Sequence, residues 1–185
     1  MKFKIIIDQI IFLCVLIVKG VDKRMNPLEL QGDDIEKVVL KYSNMIFKIC
    51  LVLLCNEHDA KDAVQDTFFK YIRNTKRFEN EEHEKAWLIR VAINICKNML
   101  RFKFMHPQVD VDSIYDYYKS EEEGEILEDL MTIPYKFKIV MMLHYVEGYK
   151  VDEIAKIIGI TPSAVKMRLL KGRKLLKQEY LKEDL

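Results

Sequence analysis

The sequence predicts an all-α protein made of two small helical domains joined by a flexible acidic linker. Three observations predict it. Glycine and proline are scarce, at 6 and 4 of 185 residues, while Lys, Glu, Ile, Leu and Met are abundant, a mixture that favours helices over sheet. Apolar residues recur at steps of three and four along successive segments, as one buried helix face requires. An acidic stretch interrupted by Pro107 separates two such groups of segments. With 50% hydrophobic and 32% charged residues the composition is globular and excludes a disordered chain. The net charge of +1 decides nothing about nucleic acid, because the placement of the charge matters, not its sum.

Residues 1–24 form an apolar N-terminal extension. Lys2 and Lys4 precede an apolar run from Ile5 to Val18 that Asp8 and Gln9 interrupt. The run is too short to span a bilayer as a helix, and an internal Asp opposes insertion. Val18-Lys19-Gly20 offers no small-x-small cleavage site for a secretory signal. We read Met25 as the natural start. A membrane-anchored regulator using residues 5–18 is the rival reading, separable by fractionation.

The first domain is expected over residues 25–102. Asp33 or Asp34 can cap a helix whose apolar face is Ile35, Val38, Val39, Tyr42, Met45, Ile46, Ile49 and Leu53. Asn56 and Asp59 restart the chain as a second helix to about Arg73, with Ala63, Val64, Phe68, Tyr71 and Ile72 inward. Asn74 to Glu84 is polar and without periodicity, a loop. A third helix runs from about Glu84 to Arg101, with Leu88, Val91, Ala92, Ile95 and Met99 inward.

The linker is expected over residues 103–120, with Asp110, Asp112 and Asp116 making it acidic. The second domain spans residues 121–185. It opens with a short helix to about Met131. Pro134 sits in the first turn of a helix carrying Phe137, Val140, Met141 and Tyr145 as its apolar side, and Gly148 ends it.

Val151 to Leu170 fit a helix-turn-helix. Ala155 is small where two helices cross closely, and Gly159 supplies the positive φ of the turn. Ile154, Ile158, Ile160, Val165 and Leu169 form the wedge between the helices. Thr161 caps the second helix and Pro162 opens it. That helix carries Lys166, Arg168, Lys171, Arg173, Lys174 and Lys177, with no acid before Glu179. Cations neutralise phosphates, and side chains near the helix start reach base edges in the major groove. With Val165 and Leu169 inward, Ser163, Lys166, Met167, Leu170 and Lys171 point outward. Gly172 should cost about 1 kcal/mol in helix propensity, which suggests a close packing contact.

Two further surfaces stand out in the first domain. Arg90, Asn94, Lys97 and Arg101, at steps of 4, 3 and 4, share one helix face and offer a track for a nucleic-acid backbone. Trp87, Phe102 and Phe104 lie near it; Trp87 reads as a core residue or as a platform for an unpaired base. Asp62, Gln65, Asp66 and Phe69 form an acidic, partly apolar ridge, suited either to a helical protein partner or to solvent.

The chain offers no metal cluster, glycine-rich phosphate loop or nucleophile elbow, so no cofactor, small-molecule substrate or enzymatic activity is expected. Cys14, Cys50, Cys55 and Cys96 form no CxxC and read as reduced thiols of a cytoplasmic protein. Cys50, Cys55 and His58 fit no common zinc spacing.

The segment Asp59 to Phe68 (DAKDAVQDTF) resembles the region 2 helix of the sigma-70 family. Trp87 to Asn94 (WLIRVAIN), with Arg101, resembles the next helix of that region. Glu147 to Ala155 (EGYKVDEIA), then Gly159 and Ala164 to Leu169 (AVKMRL), resemble region 4. The short form, with the two regions joined by a linker, resembles the extracytoplasmic-function group of sigma factors, which direct RNA polymerase to promoters. The resemblance implies that Asp62, Gln65, Asp66 and Phe69 meet the coiled coil of the core polymerase β′ subunit. It implies that Phe78, Glu79 and Asn80 capture a flipped base of the −10 element, and that Arg90, Asn94, Lys97 and Arg101 hold the melting strand. Region 4 would read the −35 element through Ser163, Lys166, Met167, Arg168, Leu170, Lys171, Arg173 and Lys174. The acidic linker would thread towards the RNA path. Members are commonly held inactive by an anti-sigma factor, often membrane-bound. Where the family often has Gly-Thr before the recognition-helix Val, this chain has Ser163-Ala164, which leaves the −35 sequence open. The rival from the residues alone is a stand-alone helix-turn-helix regulator. That reading needs a dimer, and no spare apolar face for one is visible.

Overall fold

The structure, a computed structural model, describes residues 32–74, 77–105 and 121–183. The apolar extension and residues 106–120 of the expected linker lie outside the described residues. Two compact units divide the chain, Met1–Tyr117 and Tyr118–Leu185. Every regular element among the described residues is helical.

Three helices build the first unit: α1 (Gly32–Leu54), α2 (Glu57–Ile72) and α3 (Glu81–Met105). Each packs on the other two. Between them lie Ile35, Val39, Ile46, Ile49, Val64, Phe68, Leu88 and Ala92, all buried at the spacing the sequence predicts. Val38, Met45, Val91 and Met99, expected inward, are only half-buried at the margin of the stripe. Gly32 is already helical, so Asp34 lies in the first turn and pairs with Lys37 at 3.6 Å instead of capping. The turn into α2 is only Cys55 and Asn56. Cys55 holds φ at 52°, and the Asn56 Oδ1 accepts from the Asp59 N–H at 2.9 Å. Cys50 and Cys96 meet inside the bundle. The neighbouring Cys96 thiol and burial push the Cys50 thiol well above its ordinary range, so it stays protonated.

Two boundaries of α3 differ from expectation. It begins at Glu81, not near Glu84, because the Asn80 Oδ1 accepts from the His83 N–H at 2.8 Å and Glu81, Glu82 and Glu84 fill a first turn that favours negative charge. It also runs on to Met105, since Phe102 to Met105 contain no glycine or proline to break a helix.

The second unit contains α4 (Glu121–Thr132), α5 (Tyr135–Met141), a π-helical turn (Met142–Val146), α6 (Val151–Ile158) and α7 (Pro162–Glu183). Pro134 stands just before α5, in extended conformation, not inside its first turn. The wide π turn shifts the register after Met141. Tyr145, expected on the apolar side, is therefore turned out and 49% exposed. Gly148, at φ +73°, follows the turn.

Gly172 finds its reason here. A Cβ at that position would come within 2.9 Å of the Met141 Cγ and Sδ, so the missing side chain lets α7 lie directly on α5. Gly172→Leu is expected to lower the stability of the second unit by about 1–3 kcal/mol through overpacking, read by urea denaturation.

Candidate functional site

The helix-turn-helix of α6 and α7 forms as its residues dictate. The Lys150 N–H donates to the Glu153 carboxylate at 2.7 Å and fixes the start of α6. Gly159 adopts φ 70°, ψ 41°, and its N–H and that of Ile160 both donate to the Ala155 carbonyl, at 3.0 and 3.1 Å. The Thr161 hydroxyl accepts from the Ala164 N–H at 3.2 Å, and Pro162 opens α7. Ile154, Ala155, Val165 and Leu169 are buried in the crossing. Ile158 and Ile160 are half-buried.

On α7, Ser163, Lys166, Met167, Leu170, Lys171, Arg173 and Lys174 are exposed, and Arg168 is half-buried. One contact the sequence did not suggest ties this helix to the π turn. Arg173 donates to the Tyr145 hydroxyl at 3.0 Å, across 28 residues of sequence. The register shift that exposes Tyr145 is what brings its ring to this cation.

In the first unit, α2 presents Asp62 and Asp66 exposed, with Gln65 and Phe69 half-buried beside them on one face. Asp62 faces the His58 Nδ1 at 3.3 Å. Lys61 pairs with Glu57 at the start of the same helix. On α3, Arg90, Asn94, Lys97 and Arg101 are all exposed in line, and Phe102 beside them is 64% exposed. The Phe104 side chain lies outside the described residues.

The loop before α3 is held by aromatic rings. Phe78 stacks parallel on Tyr71 with centroids 5.9 Å apart, and meets Trp87 edge-on at 5.5 Å and His83 at 5.8 Å. The Tyr71 hydroxyl donates to Glu84 at 2.6 Å; burial first and the Glu84 carboxylate second push the phenol above its ordinary range. Lys41 of α1 pairs with Glu81 at 2.6 Å, and this hydrogen bond raises the lysine's pKa. The three loop residues singled out from sequence are thus differently placed. Phe78 is half-buried in the aromatic cluster, Asn80 is exposed with its Oδ1 engaged in capping α3, and Glu79 is exposed. Trp87 belongs to the same cluster and is half-buried.

A helical bundle with a cationic track and an acidic ridge, together with a cation-rich helix-turn-helix, defines a helix-turn-helix protein with two differently charged surfaces in its first unit. Among the described residues no group of three or more His, Cys, Asp or Glu is arranged to hold a metal ion. The family description Sigma-70 region 2 matches residues 38–103, and Sigma-70, region 4 matches residues 125–176. The RNA polymerase sigma factor SigV of Bacillus subtilis is 29% identical over 146 residues, covering 75% of this chain and 86% of that protein. The ECF RNA polymerase sigma factor SigW of the same organism is 25% identical over 166 residues, covering 80% and 89%. A solved complex of the sigma factor RpoE with the anti-sigma factor NepR from Bartonella quintana shares the fold. Its TM-score is 0.63 at 21% identity, over 82% of this chain and 99% of that one. The chain belongs to the sigma-70 family, in its extracytoplasmic-function group.

Proposed function

We propose that the protein binds core RNA polymerase in the cytoplasm and directs it to promoters as an alternative sigma factor, with no catalytic chemistry of its own. The observation that carries this reading is the occurrence of three charged surfaces on two regions in the family's order. An acidic ridge and a cationic track lie on the region 2 bundle, and a cationic recognition helix lies in region 4. Asp62, Gln65, Asp66 and Phe69 would dock on the polymerase β′ coiled coil. Their mixed acidic and apolar face suits a cationic helical partner better than DNA. Arg90, Asn94, Lys97 and Arg101 would follow the backbone of the melted −10 strand, with Glu79 and the loop edge beside the flipped base. The exposed face of α7 would read the −35 element. An anti-sigma factor is the further partner this reading expects, membrane-bound or soluble. The solved relative in complex with NepR supports that expectation.

A pair of charge substitutions tests the division of labour. Asp66→Lys is expected to weaken core-polymerase binding about tenfold or more, by setting like charges against each other, and to leave the folding of both units unchanged. Lys171→Ala should leave polymerase affinity intact and weaken promoter binding, with the salt slope smaller by about 1. Equal loss of polymerase affinity in both variants would contradict the assignment. The stand-alone regulator has less support, because it leaves the first unit's two charged surfaces without a role.

A further inference from the structure

The exposed face of α7 is not uniformly cationic. Val165, Leu169 and Gly172 are buried and fix its inner side. At about 100° per residue, Ser163, Met167, Leu170 and Lys174 fall on the strip opposite. Lys166 and Arg173 border that strip on one side, and Lys171 and Arg168 border it on the other. The outermost strip therefore carries two large apolar side chains in full view, Met167 at 50% and Leu170 at 55% exposure, between two cationic margins.

That arrangement matches the cross-section of a major groove. The groove is about 12 Å wide and an α-helix with side chains is about 10–12 Å across, so the margins meet the phosphate walls while Met167 and Leu170, at the centre, meet base edges. Base edges offer mostly hydrogen-bonding groups there. Leu170 has no hydrogen-bonding group and the Met167 sulfur is only a weak acceptor, and the apolar feature the groove presents is the C5-methyl group of thymine. Building on the sigma-factor reading, we propose that Met167 and Leu170 read thymine methyl groups in the −35 element. The two residues are three apart, about 4.5 Å along the helix, against about 3.4 Å per base step. The two thymines therefore lie no more than about two base pairs apart. A protein surface in polymerase or in an anti-sigma factor would also cover apolar side chains. The cationic margins on both sides favour DNA as the occupant.

The test uses the full-length protein with core polymerase, on a promoter selected from a fragment library. Each thymine of its −35 element is replaced in turn by deoxyuridine, which keeps pairing and removes only the methyl group. Promoter binding is expected to fall about fourfold for each of two thymines, the effect of one buried methyl. Met167→Ala should abolish one of these differences, and Met167→Ala with Leu170→Ala should abolish both. Lys171→Ala should weaken thymine and deoxyuridine promoters equally and keep the ratio between them. The proposal is overturned if thymine and deoxyuridine promoters bind alike, or if the double variant keeps the full difference. It is also overturned if the double variant loses affinity for core polymerase while the difference persists, since the strip would then be a protein contact. A protein that supports no promoter-specific transcription at all would overturn the sigma-factor reading itself, and this proposal with it.

Discussion

Phe68→Ala is expected to destabilise the first helical unit by about 3–5 kcal/mol, the range for removing a large aromatic side chain from a packed core. Phe68 is fully buried on α2, which packs on both α1 and α3, so the vacated volume opens inside the bundle. The loss is a large fraction of the stability of a small domain. The functional consequence follows from the geometry of α2. Its inner face holds Ala63, Val64, Phe68 and Tyr71, and its outer face holds Asp62, Gln65, Asp66 and Phe69. A helix unseated on the inside cannot present a fixed ridge on the outside, so polymerase binding should fall with the folding of this unit. Urea denaturation followed by circular dichroism, alongside a polymerase pull-down, reads both effects. Full polymerase affinity in a variant whose first unit has unfolded would show that the ridge is not the docking surface.

Replacing Lys166, Lys171 and Lys174 together by alanine is expected to change the salt dependence of promoter binding more than any single substitution. All three are exposed, spread across the outward side of α7. Each phosphate contact contributes about 0.9 to the slope of log affinity against log salt, so losing three should flatten it by about 2.7. Between about 50 and 200 mM salt the unaltered protein would then lose about fortyfold more affinity than the variant. Filter binding of the polymerase complex to one promoter fragment, across a salt series, measures this. An unchanged slope would mean that these lysines do not face phosphates.

The helix-turn-helix was legible because its determinants are local. Gly159, Thr161 and Pro162 act on their own backbone or on neighbours a few residues away, and Ala155 and Val165 keep a spacing that only the crossing requires. The stripes of α1, α2 and α3 were legible for the same reason, as periodicity within one helix. What remained hidden depends on contacts between distant residues. Nothing near Phe78 announces that its ring stacks on Tyr71 and meets Trp87. The π turn widens a helix by one residue without any breaker in the sequence. The outward position of Tyr145, and its contact with Arg173, followed from that register shift. The early start of α3 has a local cause. Asn80 followed by Glu81, Glu82 and Glu84 is a helix-start signal, and its polarity made it look like loop. For the candidate site this matters most at Asn80, whose side-chain oxygen holds the helix end. A substitution there would disturb α3 as well as any DNA contact.

Transcription in vitro with bacterial core polymerase, with and without this protein, on a library of promoter fragments tests the central claim most directly. The account predicts transcripts with defined start sites that require the protein, from fragments sharing a −10 and a −35 element. No stimulation, together with tight sequence-specific DNA binding by the protein alone, would contradict it.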